Sequence, residues 1–166
     1  MRRKWQITQL LDEWNTFRTI FKKLGMEDSV ESHYYPHPNG DIERVLYFGV
    51  EHKPLRWECG FNVHEVRSRY GSRCIWVDIG ATTSRKLDER VIEKFRAACK
   101  NLVIRFVLEV IFQHDYKLFR EITFINLDEQ DEKLVVRFKE GEIEIPVEQL
   151  SEQALKEALA NFVPCA

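Results

Sequence analysis

Leu55-Arg56-Trp57-Glu58-Cys59-Gly60-Phe61-Asn62-Val63-His64 alternates from end to end. Leu55, Trp57, Cys59, Phe61 and Val63 are apolar, and Arg56, Glu58, Asn62 and His64 stand between them. A period of two is that of a strand with one face on a core and one face polar. Working outward, Asn39-Gly40 behind Pro36 and Pro38 is a hairpin turn signal, followed by a strand over about 42–50. Glu51-His52-Lys53-Pro54 then serves as the connection, and beyond the Tyr70-Gly71-Ser72 turn a further strand runs from Cys74 to Gly80. Register follows from keeping the apolar residues on one side, because a slip of one residue would expose them all. Pairing Val50 with Leu55 sets Phe48 opposite Trp57, Leu46 opposite Cys59, Tyr47 against Glu58 and Glu43 against Asn62. A three-residue loop at 70–72 pairs Val63 with Ile79 and His64 with Asp78. The polar face is therefore expected to carry Glu43, Arg56, Glu58, Asn62, His64 and Asp78.

On either side of these strands the period becomes helical. Ile7, Leu10, Leu11, Trp14, Phe17, Phe21 and Leu24 recur every three or four residues, and Gly25 closes the run as a residue past a helix end does. Leu87, Val91, Phe95, Ala98, Cys99, Leu102, Phe106 and Val110 make a second, longer stripe over about 87–114. Short strands follow near 121–127, 134–138 and 143–147, with turns at 128–133 and 140–141. The last helix takes Ser151 as N-cap, with Leu150 and Leu155 at staple positions and Leu155, Ala158, Leu159 and Phe162 on its buried face. The order is helix, four strands, long helix, two or three strands, helix. Tight hairpins and flanking helices predict an α+β fold, a mainly antiparallel sheet packed by an N-terminal, a long central and a C-terminal helix. At 166 residues the expectation is one domain, 1–166, with a core that needs no staple.

Composition narrows the class. With 44% hydrophobic and 31% charged residues the chain is of ordinary globular composition, and its net charge of −2 gives no general affinity for nucleic acid. No apolar run approaches the roughly 20 residues that span a bilayer. Cys59, Cys74, Cys99 and Cys165 lie 15, 25 and 66 positions apart, without the close ligand pairs of a structural zinc site. These features predict a soluble, cytoplasmic protein in a reducing compartment; Cys74, beside Arg73, comes nearest to a reactive thiol.

Among candidate chemistry, a His64–Asp78 pair has the elements of a general base, the carboxylate orienting the ring, with Glu58 and Glu43 nearby as ligands for a divalent ion. No serine or thiol stands beside His64 in the expected register as a nucleophile. Asp41 … Glu51-His52-Lys53 matches the spacing of PD-(D/E)xK nucleases, but one continuous strand would hold Asp41 and Glu51 roughly 33 Å apart. His33 and His37 have helical metal-ligand spacing in a segment that Pro36 and Pro38 keep from being helical. No glycine loop of phosphate-cradling type occurs, so neither a cofactor nor a metal is expected. The hairpin tip offers Arg67, Arg69, Tyr70 and Arg73, guanidinium forks suited to phosphate or an acidic partner.

Charge is divided along the chain. Residues 1–105 hold 19 Lys+Arg and 14 Asp+Glu, whereas residues 106–166 hold 6 and 13. Asp128, Glu129, Asp131, Glu132, Glu140, Glu142, Glu144 and Glu148 form the acidic concentration, which would speed association with a basic protein. In element order and acidic surface, the chain resembles small bacterial partner-binding proteins: immunity proteins that block a toxin, often a basic nuclease, and secretion chaperones that escort an effector. The long central helix departs from the chaperone pattern and favours the immunity-like reading. The resemblance implies a non-enzymatic protein that binds a basic partner, such as a nuclease toxin or secreted effector. The alternatives are a hydrolase or nuclease built on His64, Asp78 and Glu58, and a nucleic-acid-binding module built on the Arg67–Arg73 tip.

Overall fold

The computed structural model describes residues 2–85, 88–128, 130 and 132–163, with residues 2–7 described by backbone alone. Leu87, Glu129, Asp131 and Cys165 lie outside the described residues. The fold is α+β, and its contacts group the chain into two compact units, residues 1–18 with 27–99 and residues 19–26 with 100–166. The strands form two antiparallel sheets where the sequence suggested one. Each set of hairpins closes on itself, neighbours in the chain being neighbours in the sheet.

In the first unit, β1 (Glu27–Pro36), β2 (Ile42–His52), β3 (Trp57–Arg67), β4 (Arg73–Ile79) and β5 (Thr82–Ser84) pair in chain order. One face is buried. On it Phe48 sits opposite Phe61, and Val63 opposite Val77. Trp14 of the helix α1 (Arg2–Lys23) meets Phe48 and Phe61 edge-on at 5.4 and 5.5 Å. Phe95, from the first part of the helix α2 (Glu89–His114), closes on Phe61 at 4.6 Å. These four aromatic residues are 3% exposed or less, and offset ring pairs add to the area they bury. Asp88 caps α2, its carboxylate accepting from the amides of Arg90 and Val91.

The register differs from the expected one by an even number of residues at both hairpins. Val50 pairs with Cys59 rather than Leu55, because β2 runs on to His52 and the turn falls at 53–56. Buried His52 accepts the Leu55 amide at 3.2 Å and so stabilises this turn. Arg56, expected on the polar face, is part of the turn with φ +53°. At the second hairpin Arg67 pairs with Arg73, which sets His64 opposite Trp76 and Asn62 opposite Asp78. The loop here holds five residues, because the Ser68 hydroxyl accepts from the amides of both Tyr70 and Ser72. An even shift leaves each side chain on its expected face. Glu43, Glu58, Asn62, His64 and Asp78 accordingly share the face away from the aromatic core.

In the second unit, α1 ends in a Schellman motif. Gly25 has φ +77°, its amide bonds Lys22 O, and the Met26 amide bonds Phe21 O. The last part of α2 leads through the short helix α3 (Tyr116–Phe119) into β6 (Ile122–Asp128), β7 (Lys133–Phe138) and β8 (Gly141–Pro146). The single turn α3 and the three-residue β5 are too short to leave a period in the sequence. The helix α4 (Glu152–Ala160) begins as expected, with Ser151 Oγ accepting the Ala154 amide at 2.9 Å. Leu150, Leu155 and Leu159 are buried.

Candidate functional site

The outer face of the five-stranded sheet carries two groups of polar residues. The first is a chain of contacts across it. His37 Nε2 lies 3.0 Å from Glu43 Oε1, and Glu43 Oε2 lies 2.8 Å from His64 Nδ1. Asp78 Oδ2 then stands 2.8 Å from His64 Nε2, and the Thr83 hydroxyl donates to Asp78 Oδ1 at 2.8 Å. The Nε2–Oδ2 contact is short but lies off the line of an N–H hydrogen bond, so it is a close approach without an aligned bond. Trp76, directly opposite His64, stacks on the imidazole at 4.9 Å and 6°. The hydrogen bond from His64 holds the Glu43 carboxyl below its usual range against the opposing effect of burial, and His37 adds to this.

His64 and Asp78 therefore meet as the sequence suggested, although diagonally, and Glu43 joins them from the neighbouring strand. Glu58 does not. It is six residues from His64 on the same strand, about 20 Å away. Glu43 occupies Nδ1 and Nε2 is buried beside Asp78, so neither ring nitrogen of His64 is open to a substrate proton. The arrangement suits a cross-strand ion network. Asp41 immediately precedes the unbroken β2 and Glu51 lies near its far end, so the nuclease-like spacing does not converge. Among the described residues, no three His, Cys, Asp or Glu side chains are arranged to hold a metal.

The second group is acidic. Glu27, Glu51 and Glu58 are directly opposite one another on β1, β2 and β3, one rung of three glutamates on one face. With Glu31, Ser29 and Tyr47 they line an open cavity of about 260 Å³. Lys53 reaches Glu27 at 3.3 Å, and neither Glu51 nor Glu58 has an ion-pair partner among the described residues. Like charges directly opposite on a sheet are destabilising. Gly49 lines the cavity and is paired with Gly60 on the adjacent strand, and the Tyr47 ring lies over both glycines. A Cβ at either glycine would come within 2.6 Å of that ring, so the glycines are required by close approach. Burial first, then the charge of Glu58, pushes the Tyr47 hydroxyl up from its ordinary value.

The expected acidic contact surface is differently organised. Glu142 on β8 is opposite Arg137 and 3.3 Å from it, and Glu144 reaches Lys133 diagonally at 3.4 Å. Glu132, Glu140 and Glu148 are exposed, and the Glu148 carbonyl accepts from Lys23 at 3.0 Å. Asp128 Oδ1 accepts the Gln130 amide. Folding also dilutes the charge division, because Lys22, Lys23, Lys100 and Arg105 join the acidic half. The second unit holds 10 Lys+Arg against 13 Asp+Glu, net −3, and the first holds 15 against 14.

At the arginine tip, Glu65 binds Arg67 Nε at 2.8 Å and Arg73 Nη2 at 2.6 Å, while Arg69 lies 4.8 Å over the Tyr70 ring. Cys74 is exposed and Cys59 half-buried, and Cys99 is buried; all three are free thiols. The glutamate rung was missed in the sequence, although Glu51 and Glu58 flank the 53–56 turn symmetrically and moving the four-residue connection two positions along the chain pairs them. Comparison with known proteins finds no matching family model, no matching curated protein and no matching solved structure.

Proposed function

We propose that the protein is a non-enzymatic binder of a basic protein partner, which it neutralises or escorts, and that the partner's Lys or Arg side chains enter at Glu27, Glu51 and Glu58. The rung of three glutamates carries this reading. Lys53 offsets Glu27 alone, so an added cation would relieve the repulsion between Glu51 and Glu58, and the adjoining cavity accepts the end of one long basic side chain. The Asp128–Glu148 acids are the weaker candidate, since Glu142 and Glu144 already face bases of their own sheet. Catalysis at His64 is disfavoured by the carboxylate at each ring nitrogen. The free thiols support action in the reducing cytoplasm, and none of the described helices is long and apolar enough to cross a membrane.

The test is a tagged pull-down from the native source with nuclease treatment, followed by titration of the captured protein against Glu51→Lys/Glu58→Lys and Glu142→Lys/Glu144→Lys variants. The expected result is a basic partner, tenfold or greater loss of affinity in the first variant, and a shallower salt dependence there. Equal affinity for the first variant and the unaltered protein would refute the assignment of the rung. Absence of any stoichiometric basic protein would refute the function.

A further inference from the structure

We propose a second binding site, for single-stranded nucleic acid, at the end of the five-stranded sheet where the β1–β2 and β3–β4 turns lie together. The face concerned is the one that carries the aromatic core further along. Two rungs build it, Tyr34–Arg44–Glu65 and Ile42–Arg67–Arg73, each spanning adjacent strands in register. Here the face is open, with Tyr34 65% and Ile42 52% exposed. Tyr34, Ile42, Arg44, Glu65 and Arg67 line a cavity of about 280 Å³. The turns themselves touch, since a Cβ on Gly40 would stand 3.1 Å from Arg69 Cδ.

The two cavity arginines are prepared for an anion. Arg44 is tethered through Nε to Ser32 Oγ at 3.2 Å, and Arg67 through Nε to Glu65 Oε1 at 2.8 Å. Tethering at Nε fixes the guanidinium plane and leaves both terminal amino groups as a fork for a phosphate. Glu65 also accepts from Arg73. Burial raises its carboxyl, but the hydrogen bonds from Arg73 and Arg67 outweigh this and keep it ionised. One ionised carboxylate among three guanidinium groups leaves the site net positive.

The aromatic component selects among anions. Arg44 lies over one face of the Tyr34 ring at 5.9 Å and leaves the residue 65% exposed, and Tyr70, 83% exposed with Arg69 over one face, adds a second ring at the tip. An arginine fork beside an open aromatic face is the pairing that holds a phosphodiester and stacks its base, with no preference for sequence. An acidic peptide would satisfy the arginines and leave the rings unused. This site is independent of the glutamate rung, and either can fail alone.

The experiment is fluorescence anisotropy of the full chain with a fluorescein-labelled oligothymidine of about 16 nucleotides, over a range of salt concentrations. The unaltered protein should bind, with an affinity that falls as salt rises. Arg44→Gln/Arg67→Gln should weaken binding at least tenfold and flatten the salt dependence. Tyr34→Ala should weaken it roughly fivefold with the salt slope unchanged. Arg67→Lys, which keeps the charge and loses the fork, should fall between the unaltered and doubly substituted proteins. The substituted side chains sit at an open end of the sheet, so thermal unfolding of the variants should match the unaltered protein. No binding even at low salt, or equal binding by the double variant, overturns the proposal. Displacement by polyglutamate at matched charge as effective as by unlabelled oligothymidine overturns it in favour of an acidic peptide.

Discussion

On the three-stranded sheet Glu142 faces Arg137 and Glu144 reaches Lys133, acid against base across the strands, whereas on the five-stranded sheet Glu27, Glu51 and Glu58 share one rung. Both groups of glutamates lie on one face of an antiparallel sheet. The first arrangement supplies its own counter-charges and asks nothing of a partner. In the second, two of three carboxylates have no counter-charge among the described residues, and they line a cavity together with Gly49. Acidity counted along the chain does not distinguish these cases. What distinguishes them is the identity of the residue across the strand.

The comparison is broken most severely at the glycine beneath the Tyr47 ring. Gly60→Ala would bring a methyl group within 2.7 Å of the Phe48 carbonyl as well as against Tyr47, and should cost about 1–3 kcal/mol as overpacking. Urea unfolding midpoints measure it; a neutral result would mean that the sheet yields there. Next comes the polar network on the same face, toward the other end of β2 and β3. Because the Glu43 carboxyl is lowered in the folded protein, its contribution to stability is complete above the unfolded-state value and is lost as pH falls through the folded-state value. Glu43→Gln should therefore lower stability at neutral pH and make the decline below the ordinary carboxylate range less steep. Unfolding midpoints taken from neutral pH to about pH 3 would reveal it, and identical curves would refute the linkage.

Smaller effects sharpen the contrast. Glu51→Lys places a cation between Glu27 and Glu58 and should raise stability by about 0.2–1 kcal/mol while weakening partner binding. Glu142→Lys sets two cations opposite each other and should lower stability by a few tenths of a kcal/mol, since the pair it removes is exposed. Opposite signs in the two melting temperatures are expected. A shift in the same direction would show that the two faces do not differ in the way described.

Much of the fold could be read from periodicity. The stripe from Leu10 to Leu24 and the closing Gly25 gave α1, and the alternation from Trp57 to Val63 gave β3 with its faces correctly assigned. What periodicity cannot supply is the pairing partner, because an even shift keeps every face and changes every neighbour. Two such shifts moved Asp78 off the rung of His64, and brought Glu51 and Glu58 together. The pair His64–Asp78 was still recognised, since long side chains bridge a diagonal. Arg44 and Tyr34 were overlooked for another reason. Neither is unusual in its own strand, and they become a site only when Glu65 and Arg67 arrive from β3.

Tyr47 and the glycines beneath it also constrain the order in which this sheet can change. A side chain at Gly49 is blocked first by the Tyr47 ring, at 2.6 Å, and next meets the Ser29 hydroxyl at 3.1 Å. A smaller residue at 47 would therefore make alanine at 49 acceptable, whereas alanine at 49 arriving first meets the ring. Gly60 has no such route, because the Phe48 carbonyl would still stand in the way. Descendants of this sequence could trade away Tyr47 and then Gly49, in that sequence of events, and would keep Gly60 throughout.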